Sequence, residues 1–198
     1  MKIMVVSDKE SKYLWDDYQK EKLDGVELIL SSGDLDPDYL SFLTTVSSVP
    51  VLYVMGNHDD KYFYHPPEGC ICIENKIYIH KGIRILGLGG SMRYRNGVNQ
   101  YTEKEMAERV KKLRFKLLIN KGLDILLTHS PAYGLNDGKD LPHRGFQVFH
   151  NIINQYQPKF FIHGHMHMNY GRQYKRCMQY GSTQIINAYE RYLFEYTI

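Results

Sequence analysis

The sequence predicts an α/β fold, specifically an α/β/β/α sandwich of two mixed β-sheets flanked by helices. Three observations predict it. About a dozen short apolar runs bounded by Gly and polar residues fit strands, which is more than one sheet of ordinary size holds. The first half alternates strand and helix patterns, which favours parallel pairing. From Asn169 onward, short β runs follow one another across turns such as Tyr180-Gly181-Ser182, which favours antiparallel pairing.

The elements follow in order. Strands are expected at 2–7 and 26–31, with a short helix across 11–21 between them. Asp36-Pro37 reads as an N-cap followed by proline in the first turn, opening a helix through Leu40, Leu43 and Val46. Strands are expected next at 50–55, 71–73, 76–80 and 83–88. Thr102-Glu103-Lys104-Glu105 has capping-box spacing; Met106, Val110, Leu113 and Leu117 then share one helical face, and Gly122 follows the end. A strand at 123–128 precedes a helix from Gly145 to Gln157, with Phe146, Phe149, Ile152, Ile153 and Tyr156 inward and Pro158 stopping it. The remaining strands are expected at 159–163, 170–175, 177–180, 183–187 and 192–197.

At 198 residues, 43% apolar and 24% charged, residues 1–198 are read as a single domain with a proper core. The net charge of +3 and pI near 8.6 are a mild basic excess. A dedicated nucleic-acid binder carries a basic stripe. Here Arg109, Lys111, Lys112, Arg114 and Lys116 lie on an amphipathic helix whose outer face is expected to be solvated, so nucleic acid is not an expected partner. Cys70, Cys72 and Cys177 support neither a disulfide framework nor a four-cysteine zinc site and are expected as reduced thiols. No run approaches the ~18–20 apolar residues of a membrane span. With no signal-peptide pattern at the start, a cytoplasmic location and no membrane partner are expected.

Five apolar runs end in polar groups suited to metal: Asp8 after Ile3–Ser7, Gly33-Asp34, Gly56-Asn57-His58-Asp59, Thr128-His129, and Gly164-His165-Met166-His167. Ligands of open α/β sheets bind just beyond the carboxyl ends of strands, so these residues define one rim. On an extended segment His165 and His167 point the same way, because side chains alternate with period two. Asp34 has two oxygens and can bridge two cations. An EF-hand start through Asp34, Asp36 and Asp38 fails, because Pro37 interrupts it, Tyr39 stands where Gly is needed and Thr45 where Glu is needed. Asn57 offers a carbonyl oxygen to a hard ion, and His58 beside it suits an acid or charge stabiliser over a phosphate.

In this order the motifs resemble the calcineurin-like metallophosphoesterase superfamily, over residues 8 to 167. The resemblance implies a dinuclear centre: one ion on Asp8, Asp34 and His167, the other on Asp34, Asn57, His129 and His165. It implies hydrolysis of phosphate mono- or diesters by a metal-bridging hydroxide, with His58 near the leaving group and Asp59 either orienting His58 or capping a turn. Two ions about 3.5–4 Å apart would clamp a phosphoryl oxygen and lower the pKa of the bridging water.

The chain departs from the family at its first motif, usually Asp-x-His, which reads Asp8-Lys9-Glu10. Period two puts Glu10 on the side of Asp8, where it is expected to coordinate; the plain alternative is an exposed Glu. An oxygen in place of imidazole favours harder ions, so two divalent or mixed-valence ions, Mn or Fe ahead of Zn, are expected. Substrate contacts are expected from Arg93, His143 and Arg144, in polar loops near the rim. The alternatives are a nuclease, or a non-catalytic scaffold such as the retromer subunit of the same family, which lacks the catalytic histidine.

Overall fold

In the computed structural model, which describes residues 1–16 and 18–197, the strands in chain order are β1 (Lys2–Ser7), β2 (Val26–Ser31), β3 (Val51–Tyr53), β4 (Ile71–Cys72), β5 (Lys76–His80), β6 (Ile83–Leu88), β7 (Ser91–Met92), β8 (Gln100–Tyr101), β9 (Ile125–Thr128), β10 (Phe160–His163), β11 (Cys177–Tyr180), β12 (Thr183–Asn187) and β13 (Glu190–Glu195). The helices are α1 (Lys12–Trp15), α2 (Pro37–Ser47), α3 (Glu103–Ile119) and α4 (Val148–Tyr156). One sheet has the order β13-β1-β2-β3-β4 and the other β11-β12-β10-β9-β6-β5. Both are mixed: β1 to β4 are parallel with β13 antiparallel at the edge, and β6, β9, β10 and β12 are parallel between antiparallel β5 and β11.

The pleat sorts the apolar side chains into three layers. Ile3, Val5, Leu28 and Leu30 of the first sheet meet Ile85, Leu127, Ile162 and Ile186 of the second. Residues of opposite parity face outward to helices. Met4, Val6 and Ile29 pack under Tyr39, Leu40 and Leu43 of α2, while Leu86, Leu126 and Phe161 pack under α3 and α4. Each central strand is covered on both faces and therefore reads as a continuous apolar run rather than an alternating one. This is the expected four-layer sandwich.

The helix signals hold at α2 and α3. Asp36 accepts from Asp38 N–H, and Thr102 and Glu105 exchange both bonds of the capping box. Other elements differ from expectation. The helix expected across 11–21 is only α1 plus a 3-10 turn at Lys20–Leu23; Asp17 lies outside the described residues. The helix expected from Gly145 begins at Val148, because Gly145 N–H donates to Asp137 Oδ2 and Phe146 bridges to Ala132. No strand forms at 170–175, a polar stretch with no apolar face to bury. The last strand begins at Glu190 rather than 192 and crosses to the first sheet beside β1, while β12 pairs parallel with β10. A short ribbon of β7 and β8, not anticipated, closes the loop containing residues 93–99.

Candidate metal centre

The rim forms where β1, β2 and β3 of one sheet and β9 and β10 of the other end side by side. Backbone bonds tie these ends together: Asp8 N–H donates to Gly33 O, and Gly164 N–H donates to His129 O. Asp8, Asp34 and His165 all take left-handed backbone angles, with φ of 64°, 56° and 64°. Non-Gly residues rarely adopt this region, and such strain gathers at functional sites. It also removes the basis for strand periodicity at the rim. His165 and His167 do reach one rim, but from a turn rather than an extended segment.

Four donor atoms converge. His129 Nε2 lies 3.0 Å from Asn57 Oδ1, 3.1 Å from His165 Nδ1 and 3.4 Å from Asp34 Oδ2. The outer nitrogens settle the tautomers. His129 Nδ1 is 2.8 Å from Ser32 O and His165 Nε2 is 2.8 Å from Pro142 O; a carbonyl only accepts, so both outer nitrogens donate. In the neutral rings the inner nitrogens then present lone pairs to each other and to two oxygens. Four acceptors this close repel unless a cation or a proton lies among them. Donors bonded to one cation at about 2.0–2.2 Å sit roughly 3 Å apart, so the spacing suits a divalent ion. The tethered outer N–H groups are the arrangement that orients metal-ligating histidines.

The electrostatics point the same way. His129 is completely buried, which by itself would lower its pKa, but the charges of Asp34 and Asp8 push it up to about 9. Burial raises Asp34, yet His129 and the His58 N–H outweigh it and hold the carboxyl near about 2. Burial and the charge of His129 press His165 down to about 3, keeping it neutral. Asp8 rises to about 7, chiefly through burial.

Asp8 accepts His165 N–H on both oxygens at 2.9 Å, and its Oδ1 lies 3.9 Å from His167 Nε2. The His167 ring is sandwiched between Tyr170, stacked at 4.6 Å and 11°, and Tyr189 at 4.8 Å. Glu10 does not join the compact Asp34, His129 and His165 group. Its Oε1 accepts Asp36 N–H at 3.0 Å, beside the N-terminus of α2. Asp59 Oδ2 accepts from Gly56 N–H at 2.6 Å and Asp34 N–H at 2.9 Å, joining the β2 and β3 ends, and makes no hydrogen bond to the His58 ring. Burial and the charge of Asp34 raise Asp59 to about 7.

His58 donates its backbone N–H to Asp34 Oδ1, and its exposed side chain borders a cavity shared with Glu10 and Asp36 and two further ones. Of these two, the first, of about 270 Å³, is bounded by Asp8, Asp34, His143, His167 and Tyr170. The second, of about 370 Å³, is bounded by Asn57, Asp60 and Arg95. Of the expected substrate residues, His143 lies in the first cavity and pairs with Asp140 at 2.6 Å. Arg93 is engaged by Glu105 at 2.9 Å, and Arg144 is exposed outside both cavities. Arg95 lines the second cavity and Tyr170 the first, and neither was among the expected contacts. The Arg93 and Arg95 spacing offered no way to choose between them, and Tyr170 sat inside an expected strand.

Over residues 1–188 the chain matches the family model described as the calcineurin-like phosphoesterase superfamily domain. A 75-residue stretch is 32% identical to UPF0046 protein T07D4.2 of Caenorhabditis elegans, covering 36% of this chain but only 17% of that protein. Among solved structures, TT1561 of Thermus thermophilus is similar at a TM-score of 0.63 and 16% identity, over 96% of this chain and 89% of that one. The phosphopantetheinyl hydrolase PptH of Mycobacterium tuberculosis is similar at 0.62 and 14%, over 94% and 88%. A putative 5'-nucleotidase of Staphylococcus aureus is similar at 0.54 and 12%, over 97% of this chain and 50% of that one. At these identities the likeness to the solved structures is one of fold.

Proposed function

The chain belongs to the calcineurin-like phosphoesterase superfamily, and from that premise we propose that it is a metal-dependent hydrolase of phosphate mono- or diesters. The observation that carries this reading is the convergence of Asp34, Asn57, His129 and His165 donor atoms with both outer imidazole N–H groups tethered. Mixed oxygen and nitrogen donors suit Mn, Fe or Zn, and Asn57 with Asp34 tilts the set toward the harder ions. When bound, such an ion supplies Lewis acidity to a phosphoryl oxygen and a nucleophilic water near neutral pH.

The chain's own residues supply the rest. Asp34, shared between the two sides of the rim, orients its carboxylate by accepting His58 N–H, and so sets where the His58 ring stands. That ring borders the cavity where a leaving oxygen would depart, and its role is to donate a proton or to offset charge on the phosphoryl group. Arg95, which no carboxylate engages among the described residues, extends from the same cavity toward an anionic part of the substrate. Tyr170, exposed and lining the cavity with His58 and His143, offers apolar ring surface to a planar or apolar leaving group. Donors drawn from residue 8 to residue 167 are the reason to treat the whole chain as one functional unit.

The test is turnover of p-nitrophenyl phosphate and bis(p-nitrophenyl) phosphate with Mn, Fe or Zn added. Metal-dependent release of nitrophenol is expected, and His58→Ala is expected to lower kcat by about 10²–10⁴-fold with metal content unchanged. No turnover of either ester with any of the three ions would return the chain to the scaffold reading.

A further inference from the structure

Resting on the metal-dependent reading above, the geometry points to two unequal cation positions: a tight one at Asp34, Asn57, His129 and His165, and a weak one beside Asp8 and His167 to which Glu10 gives no bond. The residue that fills the second ligand place of the first motif is committed elsewhere. Glu10 Oε1 accepts the backbone N–H of Asp36, and Asp36 is the N-cap of α2. A carboxylate there meets an otherwise unpaired donor and the positive end of the helix dipole, both of which favour it. The left-handed turn at Asp8, with Lys9 N–H folded back onto Ser7 O, is what sends Glu10 away from the Asp8 side chain. Accordingly Glu10 borders a cavity with Asp34, Asp36 and His58, whereas Asp8 borders the neighbouring one with His143 and His167.

The two donor sets differ in number and in preparation. The tight position has four protein donors, three of whose contacts to His129 Nε2 lie between 3.0 and 3.4 Å, and both of its imidazoles are oriented by backbone carbonyls. The weak position has Asp8, His167 and a shared Asp34. Asp8 Oδ1 and His167 Nε2 stand 3.9 Å apart, and both Asp8 oxygens are already engaged by His165 N–H. His167 is oriented by stacking on Tyr170 and a tilted contact with Tyr189, and among the described residues its ring makes no hydrogen bond through its outer nitrogen. Oriented outer groups commonly change metal affinity by about 10–100-fold, so a difference of at least tenfold is expected.

The experiment strips the protein with chelator and titrates it with Mn2+, counting bound ion by calorimetry and by the electron paramagnetic resonance signal of free Mn2+. One tight equivalent and a second at least tenfold weaker are expected. Asp8→Asn should weaken only the second. Glu10→Gln keeps an oxygen for Asp36 N–H but surrenders the charge, and both affinities should stay within about twofold of the parent. Two equivalents of equal affinity, loss of the tight equivalent in Asp8→Asn, or a tenfold loss of either ion in Glu10→Gln would each overturn the inference, the last by making Glu10 a ligand. Binding of no ion by the folded parent would instead sink the metal-dependent reading itself.

Discussion

At the scale of single residues, identity and placement part company at the arginines and at the glycines beside the rim. Arg93 and Arg95 are two positions apart in one loop, yet Arg93 is held by Glu105 while Arg95 borders the cavity with His58. Arg95→Gln is therefore expected to raise KM for anionic esters by about 10-fold, the worth of one charge-assisted hydrogen bond, with Arg93→Gln near neutral; steady-state kinetics on both variants decides. Gly56 and Gly164 are needed for a different reason. A Cβ at Gly56 would collide with Asp34 Oδ1, and one at Gly164 would collide with Ser7 Oγ. The motif glycines are thus the space that the neighbouring side chains occupy. At Asp59 one oxygen collects two backbone N–H groups, from Asp34 and Gly56, and so joins the ends of β2 and β3.

At the scale of elements, the ends of the second sheet away from the rim are fastened by one ion pair. Arg84 at the start of β6 donates to both Asp124 oxygens and to the carbonyls of Asn120 and Lys121 past the end of α3. Partial burial raises the Asp124 pKa, but the Arg84 hydrogen bonds and charge outweigh it and hold the carboxyl below its usual value. A lowered carboxyl pKa contributes stability that is present above the unfolded pKa near 3.9 and lost as pH falls through the folded one. Asp124→Asn should then cost about 1.5–3 kcal/mol at pH 7 in urea unfolding, and its difference from the parent should shrink steadily below pH 4. A constant difference across that range would refute the linkage. The outer charges of α3 are likewise not uniform. Arg109, expected in solvent, bonds to Glu74 at 2.6 Å and to Gly89 O, tying α3 to the strand ends near the rim.

At the scale of the whole molecule, the candidate centre is a fastening between the two sheets. Asp34 and Asn57 follow strands of the first sheet, and His129 and His165 follow strands of the second. An ion bound there exists only when both sheets are docked, so it stabilises the folded state by mass action. At a free ion concentration of 100 times Kd the gain is about 2.7 kcal/mol, worth roughly 5–10 °C in a chain of this size. Chelation should lower Tm by that amount and Mn2+ should restore it; an unchanged Tm would mean that the ion does not bridge the sheets. No helix among the described residues is long and apolar enough to cross a membrane.

Sequence alone determined the layers, the helix caps and the residue types at the strand ends, because buried strands, capping boxes and polar strand tips are local patterns set by burial and backbone donors. It also exposed the departure at Glu10. Tertiary structure alone decided where those side chains go. The left-handed turns at Asp8, Asp34 and His165 cancel strand periodicity, and the pull of the α2 N-terminus on Glu10 and of Glu105 on Arg93 comes from segments distant in the chain. Those competitions are between partners brought together by folding, and no spacing along the sequence records which partner wins.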